Sequence, residues 1–181
     1  MQRPDPSPAD PTRSPRAIYS REERARRDAS PWTLVQGVLA PLQFLVFLVS
    51  LGLVLRTLAT GEGQAAAELS VQLKTAVLLL IMVTGSIWEK VVFGRWLFAS
   101  AFFWEDVVSF GVIALHLACV LAMAYDLGLD ARERLLLALA AYASYAVNAG
   151  QFLWKLRLAR LEAPPRPAPA SARGPGRELA R

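Results

Sequence analysis

Three carboxylates stand at the ends of two apolar segments, where they are the residues best suited to chemistry in this chain. Glu89 follows the apolar segment 69–88, and Glu105 and Asp106 lie at the start of the segment 102–125. Ionisable groups in or near lipid are costly, so each of them suggests a function. Two carboxyl groups in different environments can divide the roles of general acid and general base. The pattern therefore indicates acid–base chemistry on a hydrophobic substrate.

Other polar residues recur within the apolar segments at helical spacing, so that each segment carries one polar stripe. His116, the single histidine of the chain, lies on one of these stripes and is a second candidate acid or base. The stripes consist of Gln36, Gln43 and Ser50; Thr75, Met82, Ser86 and Glu89; Glu105, Ser109, His116 and Cys119; and Tyr145, Asn148, Gln151 and Lys155. Four such helices predict a bundle whose interior is a polar-lined pocket.

The scarcity of histidine and cysteine excludes several kinds of site. With one His and one Cys, the chain has neither the paired histidines of a membrane cytochrome nor the ligands of a zinc site. The Glu-x-x-His pairs of di-metal carboxylate bundles do not occur, nor does a glycine-rich phosphate loop or a nucleophile elbow. We expect no metal and no cofactor held by the protein, which is then either an acid–base enzyme or a non-catalytic membrane protein.

A loop rich in aromatic and basic residues, EKVVFGRWLFASAFFWED, joins the carboxylates. Trp96, Phe103 and Trp104 form either a membrane-interface belt or a surface that stacks a flat ligand. Lys90 and Arg95 are either orientation charges or partners of an anionic group. A salt bridge from one of these two cations would be an alternative explanation for Glu89 or Glu105.

Two further residues have plainer interpretations. Lys74 is expected to be a snorkelling side chain near the opposite membrane face. Cys119 is expected to be a small packing residue.

The elements that must position these residues are membrane spans. The chain has 181 residues, of which 54% are hydrophobic, and its net charge is +5. Four apolar stretches, at about 32–58, 69–88, 102–125 and 135–154, come near the roughly 20 residues that cross a bilayer. Because helices satisfy their own backbone in lipid, we predict an all-α integral membrane bundle of four transmembrane helices. Ser30 and Pro31 mark a helix start, and the polar stretches 61–63 and 132–134 mark turns.

The basic residues predict the orientation and the tails. Residues 1–30 hold seven arginines, residues 155–181 hold one lysine and six arginines, and the central loop adds Lys90 and Arg95. The other two loops hold Arg132 and Arg134, besides Arg56 at a span end. The positive-inside rule therefore places both termini and the loop 89–101 in the cytoplasm. The Pro- and Arg-rich segments 1–18 and 163–181 are predicted to be disordered tails that flank a membrane domain over 19–162, and no nucleic-acid partner is expected.

Three stretches of the sequence resemble a known family. They are RRDASPWTLVQGVLAPLQFLVFLVSLGLVLRTLATGEG, IMVTGSIWEKVVFGRWLFASAFFWEDVVSFGVIALH and LLALAAYASYAVNAGQFLWKLRLARLE. They are similar to the 3-vinyl bacteriochlorophyllide hydratases of phototrophic bacteria, called 2-vinyl hydratases in older nomenclature. The resemblance covers about Tyr19 to Glu162, and its specific motifs are WEKVVFG and AFFWED.

The resemblance implies a multi-pass protein of the bacterial inner membrane that acts in bacteriochlorophyll biosynthesis. It would add water to the C3-vinyl group of chlorophyllide a or bacteriochlorophyllide and leave a 1-hydroxyethyl group. No cofactor is then expected, because the substrate carries its own magnesium. Other enzymes of the same pathway are candidate partners. The alternative is a non-catalytic pigment carrier or assembly protein.

Hydration of a vinyl group needs an acid for the terminal carbon, a base for the water and negative potential beside the cation that forms. We expect one of Glu89 and Glu105, kept protonated by burial, to act as the acid, and the other or Asp106 to act as the base. His116 is the second choice, or an axial ligand of the substrate magnesium. The expected substrate contacts are Lys90 and Arg95 for the propionate, Trp96, Phe103 and Trp104 for the macrocycle, and Asn148 and Gln151 from the last span.

Overall fold

The computed structural model describes residues 18–125 and 127–161, which fold into five α-helices joined by turns. The helices are α1 (Arg21–Ala29), α2 (Pro31–Thr60), α3 (Gln64–Phe93), α4 (Phe103–Ala124) and α5 (Ala131–Leu161). The expected tails lie outside the described residues, except for Ile18. The division into a membrane domain and two tails therefore stays a prediction.

The four predicted spans are confirmed as helices. By length and composition, α2 to α5 can each cross a membrane, and most of their residues are not buried inside the bundle. Such an exposed apolar surface needs lipid around it. Three of the helices, α2, α3 and α5, run beyond the predicted ends, whereas α4 stays within them. α2 and α3 have 30 residues each, about 45 Å of helix, which exceeds the roughly 30 Å hydrocarbon core.

Each long helix packs antiparallel against the next, and α5 also packs against α2, so the four close into a bundle. Hydrogen-bonded and ion-paired side chains show the antiparallel order: from one pair to the next, the residue number falls on one helix while it rises on the other. These pairs are Ser50–Ser70 and Gln36–Thr84 between α2 and α3, and Ser109–Asn148 and Glu105–Lys155 between α4 and α5. All-α membrane architecture is therefore confirmed, and several residues of the predicted polar stripes are buried inside it.

The predicted start of α2 and the predicted turn after it are both confirmed. Pro31 is the first residue of α2, and the Ser30 hydroxyl accepts a hydrogen bond from the Trp32 backbone N–H at 3.2 Å. The helix ends at Thr60, and the capping residue after it, Gly61, has a φ of 76° in the left-handed region. Glycine is the residue that adopts this conformation without a steric penalty, so the sequence stops the helix there.

The prediction that residues 132–134 form a turn is wrong, because they lie in the first turn of α5. Asp130 and Glu133 form a reciprocal cap: each side chain accepts a hydrogen bond from the other's backbone N–H at 2.8 Å. This cap starts the helix before the charged residues. Arg134 then reaches back to Glu68 of α3 at 3.1 Å.

α1 is an additional helix that the sequence analysis did not anticipate. Its start is fixed by a capping box between Ser20 and Glu23. It packs on the end of α3, where the Arg26 Nε donates to the Val92 carbonyl at 2.9 Å. Just before it, the buried Tyr19 ring stacks on Phe93, and burial raises the pKa of the Tyr19 phenol. α1 thus covers the end of the bundle that carries the α3–α4 loop.

Candidate active site

Two of the three predicted carboxylates meet at this end of the bundle. Glu89, near the end of α3, and Asp106, in the first turn of α4, are only 6% and 3% exposed. Their carboxyl groups face each other as interacting neighbours. The helix ends hold them there because the short α3–α4 loop brings the last turn of α3 beside the first turn of α4. The site is therefore a buried carboxyl pair.

The loop itself is bound to the carboxyl pair. The Phe98 backbone N–H donates to Asp106 Oδ2 at 2.8 Å, and the Ala99 N–H donates to Glu89 Oε2 at 3.2 Å. Phe98 has a φ of 58°, in the left-handed region that is costly for a residue with a side chain. Two consecutive N–H groups are thereby aimed at the two carboxyl groups.

Glu105 has a different partner from those the sequence suggested. Its carboxylate forms an ion pair with Lys155 of α5 at 2.7 Å, so a salt bridge with Lys90 or Arg95 is not what holds it. Lys90 donates to the Gly94 carbonyl at 3.0 Å. The Arg95 side chain is exposed. Both cations lie at the same end of the bundle as the carboxyl pair but on its outer surface.

The aromatic residues of the loop divide into an outer and an inner group. Trp96, Phe103 and Trp104 are exposed, at 60%, 43% and 71%. Phe98, which the sequence analysis did not single out, stacks on Phe110 with the ring centres 5.6 Å apart. The inner group fills the space under α1 and consists of Phe102, Tyr19, Trp88, Phe93 and Phe152. The outer group is open to a flat ligand, and Phe98 is also partly exposed, at 38%.

Asn148 is buried inside the bundle, whereas Gln151 is half-buried. The Asn148 Nδ2 donates to the Ser109 hydroxyl at 2.8 Å. Ser109 is three positions beyond Asp106, about 4.5 Å of helix rise. The Asn148 Oδ1, the Gln151 Oε1 and both amide atoms of Gln43 are buried, and they have no hydrogen-bond partner among residues 18–125 and 127–161.

His116 belongs to a separate polar cluster, ten positions and about 15 Å of helix rise from Asp106. Its Nδ1 is hydrogen-bonded to the Val112 carbonyl at 2.7 Å, and its Nε2 is hydrogen-bonded to Lys74 Nζ. Both ring nitrogens are engaged in this arrangement. A magnesium ligand at Nε2 would have to displace Lys74.

The prediction that Lys74 snorkels to the membrane face is wrong, because its side chain is completely buried. Its Nζ lies 3.9 Å from the centre of the Tyr145 ring. Helical periodicity contained the signal: Lys74 lies three positions after Val71 and four before Leu78, both of which are core residues. The same periodicity places Tyr142, which bonds the Ser50 hydroxyl, on the inner face of α5.

The other predicted stripe residues have mixed outcomes. Gln43, Ser50, Thr75, Ser109, Cys119 and Tyr145 are buried as expected. Met82 and Ser86 are only half-buried, and Thr84 is the buried polar residue of that part of α3. Thr84 lies on the α3 face turned to α2, where its hydroxyl accepts a hydrogen bond from the Gln36 Nε2 at 2.8 Å.

Fold and site together define a class of protein: a multi-span helical membrane protein with a carboxyl pair buried at one end of its bundle. Residues 19–158 match the family model described as 2-vinyl bacteriochlorophyllide hydratase (BCHF). The chain belongs to this family.

Two relatives bear the same name. The 2-vinyl bacteriochlorophyllide hydratase of Cereibacter sphaeroides is 64% identical over 155 residues, which cover 86% of this chain and 96% of that protein. The protein of that name from Rhodobacter capsulatus is 64% identical over 157 residues, 87% of this chain and 90% of the relative. No solved structure matches the chain.

Proposed function

We propose that the protein is a hydratase that adds water to the vinyl group of a bacteriochlorophyllide in bacteriochlorophyll biosynthesis. The observation that carries this proposal is the 64% identity to proteins named for that activity over nearly their whole length. The buried carboxyl pair supports it, because it supplies the kind of group the reaction needs at a membrane interface where an amphiphilic pigment resides.

The reaction divides into two proton transfers and one bond formation. A proton adds to the terminal vinyl carbon, and the positive charge develops on the carbon next to the macrocycle. The oxygen of water then bonds to that carbon, and the water gives up one proton. The sum is addition of H₂O without oxidation or reduction, so we propose that the protein needs no cofactor of its own and that the magnesium arrives with the substrate.

The facing carboxyl groups of Glu89 and Asp106 suit the acid and the base. Two carboxyl groups held this close share one proton more readily than they carry two negative charges. One member is then the acid, and the ionised member accepts the proton of the water and stabilises the cation. The N–H groups of Phe98 and Ala99 orient the pair. Glu105, paired with Lys155, is assigned a supporting electrostatic role.

The surface around the pair suits the pigment. The exposed Trp96, Phe103 and Trp104 offer aromatic faces for a flat macrocycle. The exposed cations Lys90 and Arg95 suit its propionate. His116 lies too far along α4 for the same role as the pair, so the carboxyl groups are the first choice.

The proposed location is the bacterial inner membrane, with both termini and the α3–α4 loop in the cytoplasm. The distribution of lysine and arginine supports this orientation. Enzymes that supply the vinyl pigment or consume the alcohol are the proposed partners, because a pigment this hydrophobic is best transferred within the membrane plane.

The test is turnover of vinyl pigment by purified protein in detergent. The wild type should increase the pigment mass by one water and shift its red absorption band to shorter wavelength, because the vinyl group leaves the conjugated system. Glu89→Gln and Asp106→Asn should each lower kcat by about 10²–10⁴-fold, the usual range for losing a general acid or base. Glu62→Gln, in the exposed turn at the far end, is the matched control. Pigment that co-purifies unchanged with the wild type would instead identify a carrier.

A further inference from the structure

The interior of the bundle contains four buried polar atoms that have no hydrogen-bond partner in the part of the chain that the structure describes. They are the Asn148 Oδ1, the Gln151 Oε1 and the Nε2 and Oε1 of Gln43. Gln43 and Asn148 are 2% and 7% exposed. Buried polar groups in proteins nearly always have a hydrogen-bond partner, because an unpaired one costs free energy. The partner of these atoms therefore comes from outside residues 18–125 and 127–161.

The three amides lie at neighbouring levels along the bundle. Gln43 is one turn before Phe47 on α2, and the Phe47 ring contacts Tyr145 of α5 with the ring centres 5.0 Å apart. Because α2 and α5 run antiparallel, Gln43 comes level with Asn148, three positions beyond Tyr145. Gln151 follows one turn later, towards the Lys155–Glu105 ion pair.

Of the three amides, Asn148 is connected to the carboxyl pair through α4. Asn148 is bonded to Ser109 at 2.8 Å, and Ser109 is one helical turn from Asp106. Asn148 and Gln151 both leave a carbonyl oxygen unpaired. A water that donates to such oxygens keeps its own lone pairs free, and buried waters typically make about three hydrogen bonds of this kind.

We propose that Gln43, Asn148 and Gln151 hold water molecules inside the bundle, and that the water at Asn148 and Gln151 is the one added to the vinyl group. This assignment rests on the proposed hydratase function. It changes the role expected from the sequence, in which Asn148 and Gln151 contact the pigment. It also assigns a further water to Gln43, farther from the carboxyl pair than the water at Asn148 and Gln151.

The step balances within the site. The protonated carboxyl of the Glu89–Asp106 pair gives its proton to the terminal vinyl carbon, and the π bond supplies the electrons of the new C–H bond. The oxygen of the held water forms the C–O bond with the neighbouring carbon. The proton that the water loses returns to the carboxyl pair, which ends in its starting state.

Thermal unfolding of the purified protein tests the water independently of catalysis. Gln43→Met keeps the size of the side chain and removes its amide. If Gln43 holds water, the Tm should fall by about 2–4 °C, a shift typical of losing one ordinary interaction in a protein of this size. Gln36→Met is the matched control, since the Gln36 amide has a partner within the chain, Thr84. A rise in Tm for Gln43→Met would mean that the amide is unsatisfied, and it would overturn the proposal.

Steady-state kinetics tests the role of the held water. Asn148→Leu and Gln151→Met should each lower kcat by about 10²-fold, as expected when a reactant is misplaced, and leave the KM for the pigment within about twofold. Gln36→Met should leave both constants unchanged. A raised KM with an unchanged kcat would mean that Asn148 and Gln151 contact the pigment and would overturn the assignment. If Asn148→Leu does not fold, Gln151→Met gives the same reading.

Failure of the function and failure of the inference are distinguishable. A wild-type protein that hydrates no pigment contradicts the proposed function, whereas the sign of the Gln43→Met shift still decides whether water is held. A hydratase whose Asn148 and Gln151 variants keep the wild-type kcat retains the function and loses the inference.

Discussion

Lys74 lies in the centre of the bundle, with an imidazole and aromatic rings around it instead of a carboxylate. Its Nζ contacts His116 and lies over the Tyr145 ring and, at a greater distance, the Tyr142 ring. Ring faces attract a cation electrostatically, and the imidazole nitrogen accepts a hydrogen bond from it. The contacts of Lys74 and His116 therefore depend on each other.

Lys74→Leu should destabilise the protein by about 1–3 kcal/mol, because His116 Nε2 is left buried without a donor. Lys74→Leu combined with His116→Leu should cost less than the sum of the single changes, since the double change removes both polar partners. Unfolding in detergent measures all three. Lys90→Leu, an exposed lysine on the same helix, serves as the control. Strict additivity would contradict the pairing.

The backbone of Phe98 is strained. Comparing the stabilities of two variants with small residues at this position measures the strain separately from the loss of the ring. Both Phe98→Ala and Phe98→Gly remove the ring that stacks on Phe110. Because the φ of 58° penalises any side chain, Phe98→Gly should be more stable than Phe98→Ala by about 1 kcal/mol. In an ordinary helix or strand position the order is the reverse. Equal Tm values for the two variants would show that the loop relaxes when the ring is lost.

Single residues were predicted to different degrees from the sequence. The gathering of carboxylates followed from their positions at two helix ends joined by one loop. Which two would pair did not follow, because Glu105 and Asp106 differ by about 100° around α4, and this rotation turns one towards Lys155 and the other towards Glu89. The prediction for Lys74 was wrong because it relied on the expected depth of the residue in the membrane. The position of Lys74 on the core-facing side of α3 is what determines its burial.

Among the elements, the start of α5 depends on its cap. Asp130→Ala should remove the hydrogen bond to the Glu133 N–H and cost about 1 kcal/mol, the usual effect of losing such a cap. Asp130→Asn retains an acceptor, so its free energy of unfolding should stay within a few tenths of a kcal/mol of the wild-type value. Thermal unfolding, with circular dichroism as a readout of helix content, distinguishes the two. A similar loss in both would mean that the charge of Asp130, rather than its cap, matters.

The length of the apolar stretches predicted that the long helices exist. The capping residues, in contrast, determine where each helix begins and ends. The charged residues 132–134 suggested a turn because they interrupt the apolar run, yet Asp130 and Glu133 start the helix before them. α1 was missed for a related reason: it is short and polar, so an apolar pattern does not reveal it. Its capping box, Ser20 with Glu23, was the signal that the sequence offered.

At the scale of the whole molecule, the proposed orientation is testable with single cysteines. With Cys119→Ser as background, Ser100→Cys in the α3–α4 loop should react with an impermeant thiol reagent only after spheroplasts are opened. Glu62→Cys, in the α2–α3 turn, should react in intact spheroplasts. Both positions are exposed. The reverse pattern would place the carboxyl pair on the opposite face of the membrane from the one proposed.

The bond between the loop and the carboxyl pair connects protonation to loop position. Phe98 and Ala99 donate to the two groups proposed to lose and regain a proton in each turnover, and an ionised carboxylate is a stronger acceptor than a neutral carboxyl. By thermodynamic reciprocity, whatever loosens the loop also alters the proton affinity of the pair, to the same extent in free energy. A pigment or partner protein that displaces residues 98–99 would therefore change the proton affinity of the same carboxyl pair that it exposes.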